Sequence, residues 1–138
     1  MDKRLVVLMS LFIFSFLIFV SLVFFNKPLT RLSRAKEETI PSPQNSLIFA
    51  WPLSSKADGE DTVQINVFVR NMNNAPLENK KVHLETTLGT LRENDLMSEK
   101  SSGKATFVLI SKEAGIAEIQ AIVDNYVSLE KKITIKFN

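Results

Sequence analysis

Asp58, Glu60 and Asp61 crowd into four consecutive positions, and carboxylates at such density are the raw material of a calcium site. The alternate-residue spacing of a calcium-binding loop is missing, however. Asp58-Gly59 instead reads as a turn, a side-chain acceptor followed by a residue that tolerates positive φ. His83 is the single histidine, set on the outward parity of its strand between Lys81 and Glu85. A triad or an imidazole metal site needs partners that this pattern does not supply. Cysteine is absent, which removes disulfides, thiolate metal sites and Cys nucleophiles. Neither a G-x-S-x-G elbow nor a P-loop spacing occurs. The chain therefore reads as a non-enzyme, with no catalytic residue, metal or cofactor expected.

Apolar side chains remain as candidates for contact. Trp51 follows the short run Leu47-Ile48-Phe49-Ala50. It either covers one end of a core or offers an exposed aromatic to a partner, since Trp is enriched at interaction hot spots; packing is the reading adopted. Phe68, Val108, Ile110, Ile116 and Ile122 have outward parity, and gathered on one sheet they would form a contact patch. The candidate contact surface is accordingly Trp51, Phe68, Val108 and Ile110. A net charge of +2, with no Lys/Arg stripe interleaved with aromatics, excludes a nucleic-acid partner.

The elements that must position these residues begin with an apolar run. From Leu5 to Phe25 the chain carries no charge, proline or glycine. As a helix it spans roughly 30 Å, the thickness of the hydrocarbon core of a bilayer. Lys3 and Arg4 precede it. The run is longer than the apolar region of an export signal, and no A-x-A-like cleavage site lies beyond it. Residues 1–25 are therefore expected to form a short tail and an uncleaved transmembrane helix, with the lipid bilayer as partner through 5–25. Counted literally, Lys27, Arg31, Arg34 and Lys36 favour a cytoplasmic C-terminus. The short tail and the character of the C-terminal domain favour the opposite, N-terminus cytoplasmic and domain outside, with the basic cluster against anionic headgroups. Ser10, Ser15 and Ser21 fall at spacings of five and six, not the four of a small-residue helix seam.

Residues 26–45 hold three prolines and four basic residues, and read as a Pro-containing stalk, extended around Ile40-Pro41-Ser42-Pro43. Arg34–Glu38 has the composition of a short helical continuation. Residues 46–138 form the domain. There the period changes to two. Val63, Ile65, Val67 and Val69 alternate with polar neighbours. So do Val82 and Leu84; Ala105, Phe107 and Leu109; Ala117, Ile119, Ala121 and Val123; and Ile133, Ile135 and Phe137. Turn chemistry separates the runs, so the domain is expected to be all-β, an antiparallel sandwich.

Several stretches in order resemble one known family. They are Ser55–Asp61 leading into the Val63–Val69 strand, Asn73–Pro76 with Leu77, Thr86-Thr87-Leu88-Gly89-Thr90-Leu91, Gly103–Leu109, and Ala114-Gly115-Ile116-Ala117. Together they resemble bacterial immunoglobulin-like domains of the invasin/intimin type across nearly all of 46–137. Asn74 stands where that family usually has glycine. The resemblance implies a seven-stranded Ig-like sandwich used as a rigid extracytoplasmic module, commonly in adhesins, without catalysis. The expected protein is thus a membrane-anchored module for protein binding, adhesion or structural spacing at the bacterial cell surface. The alternative is an accessory or scaffolding subunit of a membrane or cell-envelope complex.

Overall fold

A computed structural model describes residues 2–138, the side chains of 25–37 excepted. It divides into two compact units, Met1–Glu37 and Glu38–Asn138.

The first unit is helical. Helix α1 (Lys3–Glu38) contains one segment, Lys3–Phe24, long and apolar enough to cross a membrane, with a mean hydropathy of 2.9. The Ser10 hydroxyl donates to the Val7 carbonyl at 2.9 Å, so its polar group is satisfied within the helix. The helix does not give way to an extended stalk at residue 26. After Pro28 the chain to Glu38 holds no glycine or proline and is rich in Leu, Arg, Lys, Ala and Glu, which are good helix formers. The second unit begins at Glu38, earlier than the expected boundary at 46. Pro41 and Ser42 are buried in it, and the Ser42 N–H donates to the Arg70 carbonyl at 2.7 Å. The last part of what reads as linker is therefore bonded to the domain, at Glu38 through the Asn71 side chain and at Ser42.

The second unit is a β-sandwich of ten strands: β1 (Leu47–Trp51), β2 (Ser54–Ser55), β3 (Val63–Phe68), β4 (Lys81–Thr86), β5 (Thr90–Leu91), β6 (Asp95–Met97), β7 (Lys104–Ile110), β8 (Gly115–Val123), β9 (Val127–Ser128) and β10 (Ile133–Phe137). One sheet has the order β1-β3-β7-β5, the other β2-β10-β8-β4-β6, with β9 paired to β8. The first strand of the sandwich is split. β1 pairs antiparallel with β3, then the chain passes through a cis Trp51–Pro52 bond and crosses to the opposite sheet, where β2 runs parallel to β10.

Period-two alternation fills the space between the sheets. Val63, Ile65, Val67, Phe107, Leu109, Ala117, Ile119, Ala121, Val123, Ile135 and Phe137 are all buried there. Ala117 and Ala121 on β8 are fully buried, small side chains within that packed layer. One turn shows how the family's glycine is replaced. Asn74 has φ of 64°, a left-handed conformation that asparagine tolerates better than other non-glycine residues.

Candidate functional site

Alternation sends every second residue of β1, β3 and β7 to the outer face of the four-stranded sheet, and the strand register sets them in rows. Trp51 lies opposite Gln64, which lies opposite Val108; Phe49 is opposite Asn66, and Asn66 opposite Thr106; Leu47 is opposite Phe68, and Phe68 opposite Lys104. Ile110 continues the β7 column opposite Thr90. The four residues expected from sequence as a contact surface, Trp51, Phe68, Val108 and Ile110, thus share one face.

Trp51 is 77% exposed and Phe49 53%. Phe68, Val108 and Ile110 are half-buried. The expectation that Trp51 caps the core is overturned. Ile48 and Ala50 take the inward positions of β1, so parity leaves Trp51 outside. The Phe49 and Phe68 rings meet edge to face, centroids 6.1 Å apart at 72°, an arrangement worth about 0.5–1.5 kcal/mol beyond burial. Thr106 Oγ1 donates to Asn66 Oδ1 at 2.9 Å, which leaves the two amide protons of Asn66 available. Charge is confined to the rim. Lys104 sits at one corner, and Arg92, whose N–H donates to the Val108 carbonyl at 2.9 Å, stands at the β5 edge.

Ile116 and Ile122 share the outward parity but lie on β8, in the other sheet, and do not join this patch. Phe49, Gln64 and Asn66 are the members that sequence reasoning missed. The signal was available: Phe49 shares parity with Trp51, and Gln64 and Asn66 share it with Phe68.

The residues considered for chemistry are engaged elsewhere. The N–H groups of Asp61 and Glu60 both donate to Asp58 Oδ1 at 2.8 Å, closing the turn. These bonds, the one from Asp61 foremost, hold the Asp58 carboxyl below its ordinary value. His83 Nδ1 is 3.0 Å and Lys81 Nζ 3.3 Å from Asp95 Oδ1. The hydrogen bond from His83, helped by Lys81, holds Asp95 below its ordinary value too. This cluster ties β6 to β4 on the surface. Beside it His83, Glu85, Thr86, Thr90 and Glu118 line an open groove of about 630 Å³. Among the described residues, no three His, Cys, Asp or Glu side chains come together to hold a metal ion.

Residues 50–138 match the family model of the bacterial Ig-like domain (group 1). The chain belongs to that family. No curated protein gives a significant match to it. Among solved structures this bacterial Ig-like domain is similar to the Yersinia pseudotuberculosis adhesin InvE, at 30% identity and a TM-score of 0.63, covering 72% of this chain and 28% of InvE. It is similar to Yersinia pseudotuberculosis InvD at 29% identity and a TM-score of 0.59, over 67% of this chain and 27% of InvD. The D0-D1 domain of Intimin matches at 25% identity and a TM-score of 0.60, over 73% of this chain and 50% of that fragment. The bacterial Ig-like chain therefore spans half or less of each of these relatives. The invasin/intimin type and the Ig-like sandwich expected from the sequence motifs are both found.

Proposed function

We propose that this chain is a single-pass membrane protein, N-terminus cytoplasmic, that holds one bacterial Ig-like domain outside the membrane as a recognition and adhesion module. Its contact surface is the outer face of the four-stranded sheet. The observation that carries the reading is the exposed aromatic strip, Trp51 and Phe49 beside Phe68, on a domain of a family whose relative InvE is an adhesin. An aromatic patch left in water by a small domain marks a contact surface, because burying it in a partner is favourable. Support for the anchor comes from the all-round apolar segment Lys3–Phe24. The orientation is open to a direct test.

That test is protease digestion of spheroplasts expressing the chain. The domain is expected to be degraded with the inner membrane intact; protection until the membrane is breached refutes the orientation. A photocrosslinking residue replacing Gln64 in intact cells tests the surface. It is expected to yield a discrete adduct, whereas the same residue replacing Ser128, exposed on the other sheet, yields none. Equal labelling from both positions refutes the assignment of the face.

A further inference from the structure

We infer that the edge of β4 between Leu84 and Thr86 binds an extended peptide segment of alternating basic and apolar residues, added as a parallel strand. This site is separate from the aromatic face and lies on the other sheet. It arises where the chain changes sheets between β5 and β6. The Arg92 N–H bonds to Val108 on β7, whereas the Asn94 carbonyl accepts from the Leu84 N–H on β4 at 2.9 Å. β6 then covers β4 only along Lys81–His83, so beyond Leu84 that side of β4 has no neighbouring strand among the described residues. The ladder fixes which groups are left. The Asp124 N–H donates to the Lys81 carbonyl and the Thr87 N–H to the Glu118 carbonyl, so the odd-numbered residues of β4 bond to β8 and the even-numbered ones face away. Of these, the Leu84 carbonyl and the Thr86 N–H and carbonyl have no partner among the described residues. They open onto the groove of about 630 Å³ that Asn94 and Thr90 also line.

An acceptor, a donor and an acceptor in a row select another extended backbone, the means by which a peptide adds to a sheet edge. Direction follows too. An antiparallel strand exchanges both bonds with Leu84, but the Leu84 N–H is taken and Asn94 occupies the seat opposite. A parallel strand needs only the free groups. One of its residues donates to the Leu84 carbonyl and accepts from the Thr86 N–H, and the next but one donates to the Thr86 carbonyl. The first of these side chains lies on the outer face one strand spacing, about 4.8 Å, from Glu85. The second lies beside Thr87, whose partner across the ladder is Glu118. Glu85 and Glu118 are exposed, and neither has an ion-pair partner among the described residues. Of the cations at the groove, His83 is bonded to Asp95, and Lys132 lies across β8 beside β10. Basic residues therefore meet uncompensated negative charge at both outer positions. The residue between them points inward, towards Leu84, Leu91 and Ile119, where an apolar side chain fits.

The isotope-labelled full chain in phosphatidylcholine nanodiscs is titrated to millimolar concentration with the peptide acetyl-SKVKS-amide, and amide shifts are followed by NMR. The Thr86 amide is expected to shift saturably, and those of Gln64 and Asn66 on the other sheet not to. The same peptide N-methylated at both lysines keeps its side chains and loses the two donors, and is expected not to bind. Acetyl-SEVES-amide is expected to bind about 3- to 10-fold more weakly than the lysine peptide. Glu85→Lys, a change at an exposed position, is expected to weaken the lysine peptide to a similar extent. Absence of a saturable Thr86 shift, undiminished binding of the N-methylated peptide, equal affinity for the two peptide charges, or unchanged affinity in Glu85→Lys overturns the inference. Shifts confined to Gln64 and Asn66 overturn it as well, and leave the aromatic face as the binding surface.

Discussion

Asn71 decides where the domain begins, and its replacement by alanine has a cost that can be worked out. The side chain is 3% exposed. Its Nδ2 donates to the Glu38 carbonyl at 2.9 Å, tying the first residue of the domain to the turn after β3. Its Oδ1 accepts from the N–H groups of Asn73 at 3.0 Å and Ala75 at 2.9 Å, closing that turn. Alanine deletes all three bonds and leaves two N–H groups and a carbonyl without those partners. At about 0.5–1.5 kcal/mol net for each bond the loss is about 2–4 kcal/mol. For a domain near 100 residues, each kcal/mol moves the melting temperature by about 4–8 °C, so Asn71→Ala should lower it by about 10–25 °C. Calorimetry of the full chain in vesicles measures this, with Asn73→Ala, an exposed neighbour, expected to change little. A loss below about 0.5 kcal/mol in Asn71→Ala would refute the claim that this side chain staples the junction.

Further expectations concern the core, one glycine and acid. Phe107→Ala empties a fully buried site on β7 and should cost about 3–5 kcal/mol, read from the same calorimetric scans. Gly103 has φ of 63°, and a Cβ there would sit 2.6 Å from the Val69 carbonyl oxygen; Gly103→Ala should therefore cost about 2 kcal/mol or more and lower expression of folded protein. Asp58 and Asp95 both lie below their ordinary value of 3.8. A lowered native value means that their stabilising contribution is whole above pH 3.8 and is lost as pH falls through the lowered values. The acid limb of the melting curve should flatten in Asp58→Asn and in Asp95→Asn; unchanged limbs in both would contradict the assignment.

Alternation alone makes the sandwich core legible. Val63–Val67, Phe107 and Ala117–Val123 all occupy the inward positions that their parity assigns. The face is half legible, because outward parity picks out Phe68, Val108 and Ile110 but cannot say that β8, with Ile116 and Ile122, belongs to the other sheet. That depends on strand order, a long-range property. Composition misplaces Trp51 because a bulky apolar residue at the end of an apolar run favours packing, while the true register gives the inward seats to Ile48 and Ala50. The junction is misleading for a similar reason. Pro41 and Pro43 signal extended chain, which says nothing of whether that chain lies free or, as Ser42 does on Arg70, bonds to a strand end.

The parallel pairing of β2 with β10 has a mechanical consequence. Glu38 sits beside Asn71 at one end of the sandwich, and Asn138 beside Ser55 at the other. A pull between those two points drags β2 and β10 along their axes in opposite directions. The bonds Lys136 N–H to Leu53 O, Asn138 N–H to Ser55 O and Ala57 N–H to Asn138 O, at 2.9, 3.0 and 2.9 Å, then take the tension together. Shearing such a clasp requires all three to fail at once, whereas a hairpin pulled from its open end would unzip them singly.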